Sequence, residues 1–215
     1  MTKTAFDRVE DALTVLKNGG VIILADGEDR ENEGDLVALG ENITPETVHF
    51  MLTEARGLLC APIAPSIAEK LAIGLMVENS TDPHGTPFTV TVDGTEAATG
   101  VTTGVSAFDR AATIAQLAKA DATPSDFNRP GHTQPLIPLA NGLRARIGHT
   151  EASVDLALLA GSAPVSAIIE ILKEDGTMAR RDSLFELSER LDLPFITIDQ
   201  IVEYMDDNDI AYAGA

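Results

Sequence analysis

The stretch Asp26-Gly27-Glu28-Asp29-Arg30-Glu31-Asn32-Glu33-Gly34-Asp35 packs six carboxylates into ten residues beside a single cation. Carboxylates at that density repel one another and raise each other's pKa values, so a folded loop of this composition needs a compensating cation or full solvation. Oxygen donors on a tight connection suit a hard divalent metal. The twelve-residue calcium loop does not fit, because its ligand positions and closing Glu fall out of register here and the flanks read as strands. A solvated hairpin tip on a chain that is acidic throughout is the plain alternative.

Two further constellations carry chemistry. Gly131-His132-Thr133 and Gly148-His149-Thr150 repeat one tripeptide seventeen residues apart, and the only other histidines are His49 and His84. Arg146 stands just before the second copy, and the apolar pattern after it reads as a helix capped by Thr150. Guanidinium, glycine amide, hydroxyl and positive helix end can therefore converge on one phosphate, and His149 can turn a ring nitrogen toward a metal. Glu170 is the one carboxylate in the apolar run Val165-Ser166-Ala167-Ile168-Ile169-Glu170-Ile171-Leu172. In a strand covered on both faces it would be desolvated and able to exchange protons near neutral pH; at a strand end it would simply reach solvent. Weaker signals are Cys60, either pocket lining or core filler, and Ser106 with Asp109, a helix cap that could also face an anion.

Elements must position these groups. Val21-Ile22-Ile23-Leu24 and Leu36-Val37-Ala38-Leu39 read as buried strands on either side of the acidic stretch. Phe6, Val9, Leu13 and Leu16 mark a first helix ended by Asn18-Gly19-Gly20. Thr44 and Pro45 open a second, with Gly57 as its stop, and Ser66 to Glu69 has the form of a capping box. Strands are expected at 58–63, 88–92, 135–138 and 195–198, and helices over 107–119, after 150, around Leu184, Leu187 and Leu191, and at 201–205. The segment 94–100 reads as a mobile small-residue loop. No composition break marks a boundary, so the expectation is one domain over 1–215: an α+β (mixed α/β) fold in three layers, a mixed sheet flanked by helices.

Charge and composition exclude several classes. The net charge of −19 comes without a basic block, which argues against nucleic acid and anionic membranes and requires any phosphate site to be built locally. One cysteine precludes an internal disulfide, and no run approaches the length of a membrane span. The expectation is a cytoplasmic protein.

Taken together, Asp29-Arg30-Glu31-Asn32-Glu33-Gly34-Asp35, Thr102-Thr103-Gly104-Val105-Ser106, Pro130-Gly131-His132 and Gly148-His149-Thr150-Glu151-Ala152, in this order, resemble the 3,4-dihydroxy-2-butanone 4-phosphate synthase family of riboflavin biosynthesis, over about 9–201. The resemblance implies a lyase that converts D-ribulose 5-phosphate to a four-carbon butanone phosphate and formate. It also implies Mg2+, with Mn2+ as a substitute and up to two ions per site, and a homodimer with active sites near the subunit interface. On matching positions it makes Glu31 and His149 metal ligands and His132 and Glu170 the proton-transferring residues. It assigns the sugar phosphate to Arg30, Glu31, Asp35, Arg146, Ile147, Gly148, His149, Thr150 and Glu170. Ile147 departs from the smaller residue or proline expected there, and 94–100 is longer than usual. Many members fuse a GTP cyclohydrolase II half with zinc cysteines; with one Cys and this length, that half is not expected here. Two competing readings are a noncatalytic metal sensor, which leaves the paired Gly-His-Thr turns unused, and an isomerase that stops at the enediolate.

Overall fold

A computed structural model describes residues 4–210. β1 (Ile22–Ala25) and β2 (Gly34–Leu39) pair antiparallel, and the acidic stretch is the connection between them. β2 pairs antiparallel with β6 (Ser166–Glu170) in a register that sets Asp35 opposite Glu170. β3 (Cys60–Pro62) lies antiparallel to β6 and parallel to β5 (Phe127–Leu136), while β4 (Val92–Gly94) and β7 (Phe195–Thr197) form the edges. The sheet order is β4-β5-β3-β6-β2-β1-β7. All residues of β1, β2 and β3 are buried, which explains why these strands read as continuous apolar runs rather than alternating ones.

Two cores separate by strand alternation. Ile23, Ala25, Leu36, Ala38 and Ile169 pack on one face with α2 (Pro45–Ala55), α3 (Pro65–Lys70), α5 (Ala107–Leu117) and α7 (Arg181–Leu191). Ile22, Leu24, Val37, Leu39 and Ile168 pack on the other with α1 (Val9–Lys17), α6 (His149–Leu159) and α8 (Ile198–Asp207). The α+β fold with a mixed sheet between helical layers is the one expected.

Local differences have local causes. α2 opens as read, with Thr44 Oγ1 accepting from the Thr47 N–H at 3.2 Å and Pro45 in the first turn. It stops at Arg56, which takes the left-handed conformation (φ 70), and not at Gly57. Gly57 answers another need: a Cβ there would strike the Glu170 carbonyl and lie 2.6 Å from Glu170 Oε2. α3 starts from Ala64 with Pro65 in its first turn, so Ser66 is not a cap. The segment 94–100 is ordered as α4 (Glu96–Thr99), capped by Thr95 and closed by Gly100 at φ 75. The strand expected at 88–92 reduces to bridges at Phe88 and Thr89 before β4 begins. α6 begins two residues earlier than expected, with Gly148 preceding it and Thr150 inside its first turn. The two Gly-His-Thr copies are thus no structural repeat, since the first lies in β5.

Phe6, Phe185 and Phe195 form a closed aromatic triad with centroids 4.8 to 5.1 Å apart, tying the chain start, α7 and edge strand β7 together. Phe195 is fully buried at its centre. Phe195→Ala is therefore expected to lower the unfolding free energy by about 3–5 kcal/mol in chemical denaturation.

Candidate metal and phosphate centre

Asp26, the last apolar-flanked position after β1, organises the acidic loop. It is buried; its Oδ2 accepts from Arg30 Nη1 (2.9 Å) and the Glu31 N–H (3.0 Å), and its Oδ1 accepts from the Glu33 N–H (2.9 Å). Arg180 clamps the loop from α7's N-terminal cap, donating to the carbonyls of Glu31 (2.7 Å) and Asn32. Arg30 also donates to Glu31 Oε2 at 2.6 Å. The charge density read as a problem in the sequence is thus answered partly within the protein, and Asp26 was not singled out there because nothing in its type distinguishes it from five neighbouring acids.

The loop delivers Glu31 to the start of α6. His149 Nδ1 lies 3.7 Å from Glu31 Oε2 although the two residues are far apart in sequence. The imidazole and the Arg30 guanidinium hold the Glu31 carboxyl down to about 2 against the opposing effect of burial. His149 is itself buried; burial opposes its charged form, but Asp35, Glu31 and Asp26 around it win and lift it to about 9. Asp35, fully enclosed on β2, is pushed up to about 7, first by burial and further by the Glu170, Glu31 and Glu33 carboxylates. An imidazole drawn toward its cationic form by surrounding acids marks a place that favours positive charge.

One carboxylate oxygen each from Asp26 and Glu31 and one ring nitrogen of His149 lie within 4.8 Å of one another. His149 Nε2 and Asp35 Oδ1 are buried without a hydrogen-bond partner. Orphaned polar atoms in an acidic cluster, with oxygen donors in the majority, fit a hard divalent cation.

A cavity of about 140 Å³ opens beside this cluster, lined by Arg30, Glu31, Glu33, Asp35, Cys60, Thr86, Phe88, Leu136, Arg146, His149, Thr150, Ile168 and Glu170. Arg146 and the α6 N-terminus bring positive charge to one side of it, as the sequence suggested for an anion. Glu170 is half-buried and fixed by the Leu58 N–H, which donates to its Oε2 at 2.7 Å. The carboxyl that enclosure shifts strongly is its register partner Asp35, which is covered on both sides where Glu170 ends its strand. Burial pushes the Cys60 thiol up, so it is a wall and no nucleophile. Gly148 and Ile147 lie outside the lining, and Ile147 is half exposed.

His132 is not part of this cavity. Between the pairs Val92↔Thr133 and Asp93↔Asn128 the β4–β5 ladder shifts, so residues 129–132 bulge outward and Gly131 sits against the backbone of Val92 and Asp93. His132 Nδ1 lies 2.7 Å from Asp93 Oδ2, and its N–H donates to Asp93 Oδ1 at 2.8 Å. The left-handed Gly104 (φ 88) packs on this pair; a Cβ there would come 2.5 Å from His132 Nδ1. Asp109 caps the same turn, accepting from the N–H groups of Thr102 (3.1 Å) and Gly104 (2.9 Å). Leu136, four residues on, does line the cavity, which puts His132 roughly 13 Å away along the strand. Asp93 escaped the sequence reading because its link to His132 is a cross-strand contact.

The family model for 3,4-dihydroxy-2-butanone 4-phosphate synthase matches residues 10–204. The chain is 50% identical over 199 residues to the riboflavin biosynthesis protein RibBA of Bacillus mycoides, covering 93% of this chain and 49% of that one. It is 49% identical over 199 residues to the RibBA of Bacillus cytotoxicus, with the same coverage. The chain thus spans about half the length of the curated relatives it matches. Among solved structures it is similar to a 3,4-dihydroxy-2-butanone 4-phosphate synthase crystallised with two magnesium ions. That match has a TM-score of 0.90 and 39% identity and covers 96% of this chain and all of that one. A two-domain synthase from A. baumannii, RibBX, matches with a TM-score of 0.88 and 42% identity over 93% of this chain and 58% of that one.

Asp26→Ala removes the acceptor for three loop donors. It is expected to cost about 2 kcal/mol or more of stability, measured by denaturation, and to weaken Mg2+ binding by roughly tenfold in calorimetry.

Proposed function

The chain belongs to the 3,4-dihydroxy-2-butanone 4-phosphate synthase family, and from that premise we propose that it is a lyase converting D-ribulose 5-phosphate to L-3,4-dihydroxy-2-butanone 4-phosphate and formate in riboflavin biosynthesis. One catalytic domain over 1–215 carries the activity, in the cytoplasm. No helix among the described residues is long and apolar enough to cross a membrane. The observation that carries the reading is the convergence of Glu31, His149, Asp35 and Glu170 on one cavity that also holds Arg146.

Arg146, Thr150 and the amides opening α6, with Gly148 and Ile147 in the preceding turn, bind the substrate phosphate at the cationic side of the cavity. Arg30, Glu31 and Asp35 line the side where the sugar hydroxyls lie. Glu31 and His149 hold Mg2+, with Mn2+ as a substitute, Asp26 supporting them, and up to two ions per site. When bound, the cation supplies Lewis-acid stabilisation of negative charge on substrate oxygens. Glu170, held by the Leu58 amide and open to the cavity, accepts and returns a proton at the reacting carbons. Five carbons enter; four leave as the phosphate ester and one as formate.

His132 serves the same reaction from the second subunit of a homodimer. Its bulge lies on β5 beside the edge strand β4, Asp93 fixes its ring, and the neighbouring turn and the start of α5 expose the apolar Val105 and Phe108 (69% exposed), a surface suited to another chain. The sensor reading leaves Glu170, Arg146 and this projecting histidine without a task.

Incubation with ribulose 5-phosphate and Mg2+ tests the reading: formate appears, whereas an isomerase yields a pentose phosphate without carbon loss, and a sensor yields neither. Glu31→Ala is expected to abolish formate release. Glu170→Gln is expected to keep KM and lower kcat by about a hundredfold or more. Mixing the two inactive variants His132→Gln and Glu31→Ala is expected to restore about a quarter of wild-type activity, because half the chains form mixed dimers in which one site is intact. No recovery after subunit exchange contradicts the shared site.

A further inference from the structure

Glu151 is fully buried, yet it does not line the catalytic cavity. An ionised carboxylate in that position is costly unless its oxygens are occupied. Its Oε2 accepts from Arg146 Nη1 at 2.8 Å and its Oε1 accepts from the Leu139 N–H at 3.1 Å. Arg146 makes one further bond, from Nη2 to the His84 carbonyl at 3.2 Å, and so keeps guanidinium donors for an anion in the cavity it lines. Glu151 itself borders a separate cavity of about 480 Å³, walled by Pro65, Pro138, Leu139, Val154 and Leu158, on the far side of α6's first turn.

Two features show that this ion pair is built in. A Cβ on Gly148 would strike Arg146 Nη1 and lie 2.9 Å from Glu151 Oε2, so a side chain at 148 would push into the pair. One helical turn on, Asp155 is also buried, and its Oδ2 accepts from the Leu143 N–H at 3.0 Å. The same face of α6 therefore grips the segment carrying Arg146 twice, and only Glu151 also grips the guanidinium.

We propose that Glu151 is a positioning residue: from behind the cavity it aims Arg146 at the substrate phosphate without touching substrate. The inference rests on the reading of Arg146 as the phosphate-binding side chain. A guanidinium held by a rigid carboxylate loses little freedom when it binds an anion, whereas a freed Arg146 must be ordered at each binding event. The signature is an effect on KM that exists only while Arg146 is present.

Formate release from ribulose 5-phosphate by the full chain with Mg2+ is measured for wild type, Arg146→Ala, Glu151→Gln and the double variant, with the thermal midpoint of each. Glu151→Gln is expected to raise KM about tenfold or more, with a smaller change in kcat, and to change KM less than about twofold in the Arg146→Ala background. Gly148→Ala, which disturbs the pair without removing a charge and needs no left-handed backbone, is expected to follow the same pattern and decides the matter if Glu151→Gln does not fold. An unchanged KM in Glu151→Gln, or an undiminished effect without Arg146, overturns the positioning role and leaves the phosphate role of Arg146 standing. An unchanged KM in Arg146→Ala overturns both.

Discussion

Three carboxylates, those of Asp26, Glu31 and Asp35, crowd one buried imidazole where β2, the β1–β2 connection and the start of α6 meet, and the rest of the structure accommodates that unbalanced charge. Asp35 and Glu170 face each other across the central ladder, Glu31 arrives from the β1–β2 connection, and Asp26 holds that connection in shape. Burial alone would drive His149 neutral; the surrounding acids reverse this and draw it toward its charged form. An excess of negative charge inside a rigid, doubly covered sheet cannot relax by moving the backbone, and it suits a bound cation. The fold's regular parts explain the rigidity, since two apolar cores clamp the strands from both sides.

The same economy governs the anion side. A chain with a net charge of −19 repels phosphate at long range, so attraction has to be local and directional. Arg146 and the amides of α6 are placed to provide it, and Glu151 compensates the guanidinium while occupying only one side of it. Acidic and cationic groups thereby line a single small cavity, a lining that suits the proposed ligand with its phosphate at one end and hydroxyls and a carbonyl at the other.

Much of this was legible in the sequence, because it lay in contiguous runs. The acidic decapeptide between two apolar stretches announced a loop on core strands, and Thr44-Pro45 announced α2. What escaped depended on contacts between distant segments. Gly57 looked like a helix stop, but the Glu170 backbone requires a glycine there and Arg56 takes the turn. The residues 94–100 looked loose because small side chains say little, yet Thr95 and Gly100 cap a short helix. Thr150 looked like a cap, but Gly148 yields to the Arg146–Glu151 pair and the helix starts earlier. His132 and His149 share a tripeptide and nothing else: a ladder shift throws one outward, and a helix start buries the other.

The proposed reaction requires a divalent cation bound jointly by Glu31 and His149. Anomalous diffraction from crystals of the full chain grown with Mn2+ reads this directly. An anomalous peak is expected at bonding distance from the Glu31 carboxylate and the His149 ring. Manganese found only on exposed acids, with those two side chains still side by side and bare, would contradict it.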